Sequence, residues 1–148
     1  QPVFIDLDMN TVEPAIGAQR MDKVYAWKSM LDMGIHTSGG SDAPVVSFDA
    51  MENIYFAVTR KNISGQPQEG WIPSEKISVD EAVKLFTKNA AYASYTEDEN
   101  GTIEVGKNAD FVVLEKNIYE IDPDEIKATK VDMTVLGGEI VYEREVEE

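Results

Sequence analysis

The chain has 148 residues, 43% of them apolar, which suits about one domain with a real core and is too apolar for disorder. Thirteen basic against 28 acidic residues give a net charge of −15, a surface that repels phosphate backbones and anionic lipid and so excludes nucleic acid and membranes as partners. There is no cysteine, hence no disulfide framework and no thiolate zinc site, and no apolar run nears the roughly 20 residues that cross a bilayer.

The sequence starts "QPVFIDLD", without an initiator methionine and already inside an apolar run. A piece of a longer cytoplasmic protein is the expectation. Residues 2–7, "PVFIDL", read as a short buried strand, rich in β-branched and aromatic side chains. From Gln19 to Met33, apolar residues recur at three- and four-residue steps, which predicts a helix with one buried stripe. Gly34 supplies its left-handed stop, and "IHTSG" reads as a second short strand. Strand, helix, strand is the parallel crossover unit.

Residues 47–60 predict another helix, with Ser47 or Asp49 as its cap. Two glycines and two prolines make 61–77 a loop. "SVDEAVKLFTKNAAYAS" opens on a capping box, Ser78 to Glu81, before apolar residues at helical spacing. Beyond Gly101 the texture turns to β: a short strand in "GTIEV", a turn at 106–108, and the apolar strand "DFVVL". "DPDEI" predicts a helical turn with Asp122 capping and Pro123 first. "KVDMTVLGGEIVYE" predicts a hairpin about Gly137 and Gly138, and "EREVEE" a solvated tail. The change near residue 100 marks a boundary between 1–100 and 101–148.

"GSDAPV" is the segment with chemistry in it. It places Asp42 where an extended run ends in two glycines. Read locally, Asp42 either caps a turn started by Pro44 or points into a site at a sheet end. The glycines would let the backbone turn so that Asp42 faces inward. His36 is the sole histidine and cannot build a metal site alone. Trp71 either covers a substrate pocket or plugs its own loop. Arg20 and Arg60 are expected on solvated helix positions.

Four segments in order, "GSDAPV", "ISVDEAVKLFTKNAAYAS", "GTIEVGKNADFVVL" and "VLGGEIVYE", resemble the C-terminal end of metal-dependent amidohydrolases, nearest the branch of N-substituted formamide deformylases. The resemblance implies an α/β plus β architecture. The C-terminal end of a (β/α)8 barrel, its strands 7 and 8 falling at 2–7 and 35–39, would lead into part of a small β-sandwich built from both termini. It implies cleavage of a non-peptide C–N bond in a small amide-like substrate. It also implies a divalent metal, expected to be zinc. Asp42 matches the family's aspartate at the end of strand 8, as general base and acid and as a metal ligand. The other ligands of the family, a His-x-His pair, a lysine or acidic residue and two further histidines, would precede this chain. No ion is therefore expected tightly bound to these residues alone, nor activity from them alone. Unsatisfied sheet edges predict self-association. The rival reading is a non-catalytic interaction module.

Overall fold

The computed structural model describes residues 1–145. In chain order the elements are α1 (Phe4–Asp8), α2 (Val12–Ile16), a 3-10 turn (Ala18–Lys23), α3 (Trp27–Asp32) and α4 (Ala50–Thr59), followed by a 3-10 turn (Pro73–Glu75), α5 (Val79–Phe86) and α6 (Lys88–Ala93). Then come β1 (Phe111–Leu114), a 3-10 turn (Pro123–Ala128), β2 (Val131–Leu136) and β3 (Glu139–Glu143).

The centre is α4. Met51, Ile54, Tyr55, Phe56 and Ala57 are all buried, so this helix has no solvated stripe at its middle and must be covered on every side. Ile5 and Trp27 cover it from the N-terminal layer, Ile77, Ala82 and Leu85 from the α5 side, and Ile118 and Ile126 from the β part. Each of the isoleucine, leucine, methionine and phenylalanine side chains contributes about 1.5–3 kcal/mol by leaving water. Asp49, not Ser47, starts the helix: its side chain accepts from the amides of Met51 and Glu52. The capping box at Ser78 and Glu81 forms as the sequence predicts, but the following helix breaks at Thr87 into α5 and α6.

The β part is a three-stranded antiparallel sheet in the order β1-β2-β3, with Phe111 opposite Val135 and Met133 opposite Glu143. Gly137 and Gly138 both carry positive φ, 58° and 84°, the backbone that a two-residue hairpin turn demands. Asp122 caps the 3-10 turn through the Asp124 amide. Arg144 pairs with Glu115 at 3.2 Å and Asp132 at 2.5 Å, so the "EREVEE" tail begins tied to the sheet. Residues 146–148 of that tail lie outside the described residues.

Several expectations are corrected. Residues 2–7 are not a strand: 4–8 form α1. Residues 35–39 are extended but join no ladder, and 102–105 form no strand. A strand needs a partner for its N–H and C=O groups, whereas a helix closes its own, so an apolar run without a ladder neighbour coils or stays unpaired. Consequently there is no parallel crossover among the described residues.

The helix predicted from Gln19 to Met33 is interrupted at 24–26. Arg60, expected in solvent, is fully buried and fills the break. Its Nη1 donates to the Tyr25 carbonyl at 2.9 Å, its Nη2 reaches the Val24 carbonyl at 3.5 Å, and its Nε donates to the Trp71 carbonyl at 2.5 Å. Its guanidinium carbon sits 4.4 Å from the centre of the Trp27 ring. Burial lowers the pKa of the Arg60 guanidinium to about 10, while nearby Glu75 favours the charge, so the group remains a cation at neutral pH. Arg60→Met leaves the Val24 and Trp71 carbonyls without their donor, while the Tyr25 carbonyl keeps its bond from the Trp27 amide. It should cost about 3 kcal/mol in urea denaturation. A loss under about 1 kcal/mol would show that water replaces the guanidinium.

Tyr25 makes the layer sensitive to alkali. Burial, then donation of its hydroxyl to Asp8, raise its pKa above that of a free phenol. The folded chain thus holds this proton more tightly than the unfolded chain. The stability it brings is complete below about pH 10 and is lost as pH rises beyond. Denaturation midpoints taken from pH 8 to 11 should fall more steeply for the wild type than for Tyr25→Phe; parallel curves would remove Tyr25 from the account.

Candidate active site

Asp42 lies at the end of the extended segment that runs along α5 and α6. Three contacts seat that segment. The Gly39 amide donates to the Leu85 carbonyl at 2.9 Å, Asn89 Nδ2 donates to the Thr37 carbonyl at 2.9 Å, and the His36 ring stacks on Tyr92 at 4.1 Å. Gly39 is required by proximity, since a Cβ there would lie 2.7 Å from Phe86 Cζ. The expected backbone reversal at Gly39 and Gly40 is not observed; Asp42 itself takes the left-handed conformation, φ 57°. Aspartate tolerates this better than most residues.

The Val45 amide donates to the Asp42 carbonyl at 2.9 Å, closing a turn that contains a cis Ala43–Pro44 bond. The Asp42 side chain is exposed and, among the described residues, accepts no hydrogen bond and makes no ion pair. The local alternative, in which it caps a turn, is therefore not realised here. Burial lowers the pKa of the Gln1 ammonium, and the negative charge of Asp42 opposes that shift.

The other named residues lie elsewhere. Trp71 is half-buried, tilted against Tyr25 at 6.0 Å and facing the Arg60 guanidinium at 5.8 Å. Its amide donates to the Arg60 carbonyl at 2.7 Å. Arg20 is exposed. Glu75 drew no notice in the sequence, being one carboxylate in a polar loop, yet it is 5% exposed and accepts from both the amide and the hydroxyl of Ser29.

With helices packed on a small antiparallel sheet and a lone carboxylate at the end of an extended run, comparison with known proteins places the chain in a family. The amidohydrolase family profile matches residues 1–142, and the chain belongs to that family. It is 38% identical over 144 residues to the Bacillus subtilis protein YtcJ, named as an amidohydrolase, covering 97% of this chain and 27% of that protein. It is 35% identical over 122 residues to the N-substituted formamide deformylase of Arthrobacter pascens, covering 82% and 22%. Among solved structures it superposes on an amidohydrolase from Thermotoga maritima with a TM-score of 0.61 at 21% identity, over 81% of this chain and 26% of the other. A metal-dependent hydrolase from Pyrococcus furiosus gives 0.57 at 26% identity, over 74% and 21%. The chain thus spans about a quarter of the length of the curated relatives it matches.

A divalent ion does not fit the residues present. Among the described residues, no group of three or more His, Cys, Asp and Glu side chains is placed to hold one, and a stable site needs three or four ligands. Likewise, no helix among the described residues is long and apolar enough to cross a membrane. The purified chain, dialysed against metal-free buffer, should carry well under one zinc ion per molecule by plasma mass spectrometry. Stoichiometric zinc would demand a ligand set that these side chains do not form.

Proposed function

We propose that these residues are the C-terminal part of a cytoplasmic hydrolase acting on the C–N bond of a small, formamide-like amide, with Asp42 as its proton carrier. Residues 1–100 are assigned to the barrel and 101–148 to its share of a β-sandwich. The observation that carries the reading is the family match over residues 1–142; the order of the segments around "GSDAPV" supports taking Asp42 as the family's strand-end aspartate. Its exposed carboxylate, without a partner among the described residues, leaves both oxygens available to substrate and water.

The reaction this supports is RCO–NHR′ + H2O → RCOOH + R′NH2. Water adds to the carbonyl carbon while Asp42 accepts its proton. The C–N bond then breaks as Asp42 returns the proton to nitrogen, which otherwise would have to leave as an amide anion. Aspartate suits this role because asparagine of the same shape cannot take the proton. The divalent metal implied by the family resemblance, with zinc as the expectation, would draw its ligands from outside these residues, with Asp42 adding one at most. Trp71 is the candidate contact to substrate. The unpaired edges of β1 and β3 are the proposed route by which copies of the isolated chain associate.

In the full-length protein, Asp42→Asn should lower kcat on the order of 10³-fold with folding and metal content unchanged. Near-normal turnover would remove Asp42 from the reaction. The incomplete ligand set favours one rival, a non-catalytic interaction module. A full-length protein lacking histidine ligands altogether would establish that reading instead.

A further inference from the structure

Asn100 and Gly101 form the sole asparagine–glycine pair in the chain, and the fold uses both of its members. Gly101 has φ 88°, and a Cβ there would lie 2.7 Å from the Ala91 Cβ, 3.0 Å from the Lys88 Cα and 3.2 Å from the Thr87 carbonyl oxygen, so any side chain would strike the start of α6. Asn100 closes the turn 96–100, its backbone amide donating to the Thr96 carbonyl at 2.8 Å. One terminal atom of its side chain faces the Glu99 carbonyl at 3.1 Å, Asp110 Oδ2 at 3.2 Å and the Asn108 amide at 2.9 Å. The first two can only accept and the Asn108 amide can present either end, so that atom is the nitrogen. Asp110 in turn accepts from the Gly137 amide at 2.7 Å. Asn100 therefore ties the turn to the entry of β1 and, through Asp110, to the hairpin between β2 and β3.

The same arrangement leaves the pair open to attack on itself. The Gly101 amide makes no hydrogen bond among the described residues, so its nitrogen is free to lose its proton and act as a nucleophile. Glycine has no side chain to shield that nitrogen. Both residues are half-buried, within reach of water. The chain is pinned on either side of them, since Lys107 Nζ donates to the Glu97 carbonyl at 2.6 Å and to Thr102 Oγ1 at 2.7 Å.

We propose that Asn100 is a site of spontaneous self-modification, with water as the co-reactant. The Gly101 nitrogen gives up its proton and attacks the side-chain carbonyl carbon of Asn100. A new C–N bond closes a succinimide ring, the old one breaks, and the amide nitrogen leaves as ammonia with the proton that Gly101 released. Water then opens the ring at one carbonyl or the other, leaving aspartate or isoaspartate. Either product sets a carboxylate oxygen where the nitrogen stood, so a donation to Asp110 becomes repulsion between like charges. Isoaspartate also lengthens the backbone by a methylene and displaces Gly101 from its place on α6. The pair thus limits the lifetime of the link between the turn and the sheet. This chemistry is independent of the reaction assigned to Asp42.

The test incubates the full-length protein in mildly alkaline buffer, digests it with trypsin and follows the 89–107 peptide by tandem mass spectrometry. Asn89 lies in the same peptide before Ala90, with its side chain bonded to the Thr37 carbonyl, and serves as the internal control. Asn100 should gain the mass of an amide-to-acid exchange on the timescale of the same peptide free in solution and become a substrate for isoaspartate methyltransferase labelling, while Asn89 stays intact. Conversion of Asn89 as fast as Asn100 would overturn the site. So would an Asn100 that stays intact in the folded protein after the free peptide has converted. Asn100→Gln, whose longer side chain must close a larger ring, should abolish the labelling, and labelling that persists in the 89–107 peptide would count against the pair. Asn100→Asp, the direct mimic of one product, should lower Tm by about 2 °C or more. A Tm equal to that of the wild type would overturn the claim that the modification loosens the link to Asp110.

Discussion

One peptide hydrogen bond that does not form organises the N-terminal half of the chain. A continuous helix through 19–33 would join the Tyr25 carbonyl to the Ser29 amide. Instead Arg60 donates to that carbonyl and Glu75 accepts from that amide, each arriving from the segment that follows α4. The interrupted groups stay satisfied, which is what allows a break inside a buried layer. A cation has taken the acceptor and an anion the donor, so both substitutes are charge-assisted and stronger than the neutral bond they replace. The arrangement also explains why an arginine can be completely buried with no carboxylate among the described residues in direct contact. Three carbonyl dipoles and the faces of Trp27 and Trp71 surround its positive charge.

From that lock the candidate site follows by geometry. Fixing 24–29 fixes the start of α3, and Gly34, in its left-handed conformation at φ 74°, ends the helix with the Ile35 amide bonded back to the Met30 carbonyl at 3.0 Å. The chain leaves along α5 and α6, held there by Gly39, Thr37 and His36. Asp42 comes out at the end of this path and α4 begins eight residues later. Its placement is thus set by packing on both sides, although its own side chain is untethered.

What could be read from the sequence was what a few adjacent residues decide. The box at Ser78 and Glu81, the Asp122 and Pro123 turn, the Gly34 stop and the paired glycines of the hairpin all form, because each signal lies within four residues of its effect. What could not be read depends on partners distant in sequence. The apolar runs at 2–7 and 35–39 have strand composition, but strand identity belongs to a ladder, and neither has one among the described residues. Arg60 looked like a solvated helix end because nothing local announces that Trp27, 33 positions earlier, and Trp71, 11 later, will close over it. Asp42 is singled out by the order of four segments across the chain and by nothing nearer, since its immediate surroundings favour a simple cap.

The residues that hold this chain together are not the ones proposed to do chemistry. Arg60, Glu75 and the α4 core carry the packing, while Asp42 projects from it and takes no part in the core. That separation is what a loop-borne site on a rigid support requires, since loop side chains can then answer to substrate without loss of the fold. It also sets what the support must still obtain from elsewhere. A proton carrier works only when held within a fraction of an ångström of its reacting partners, through contacts to its own oxygens. Here the backbone turn supplies the approach, but no donor among the described residues fixes the carboxylate. The orienting contacts at Asp42 must therefore come from substrate, from bound water or from other parts of the whole protein, and its geometry for reaction is completed only when they are in place.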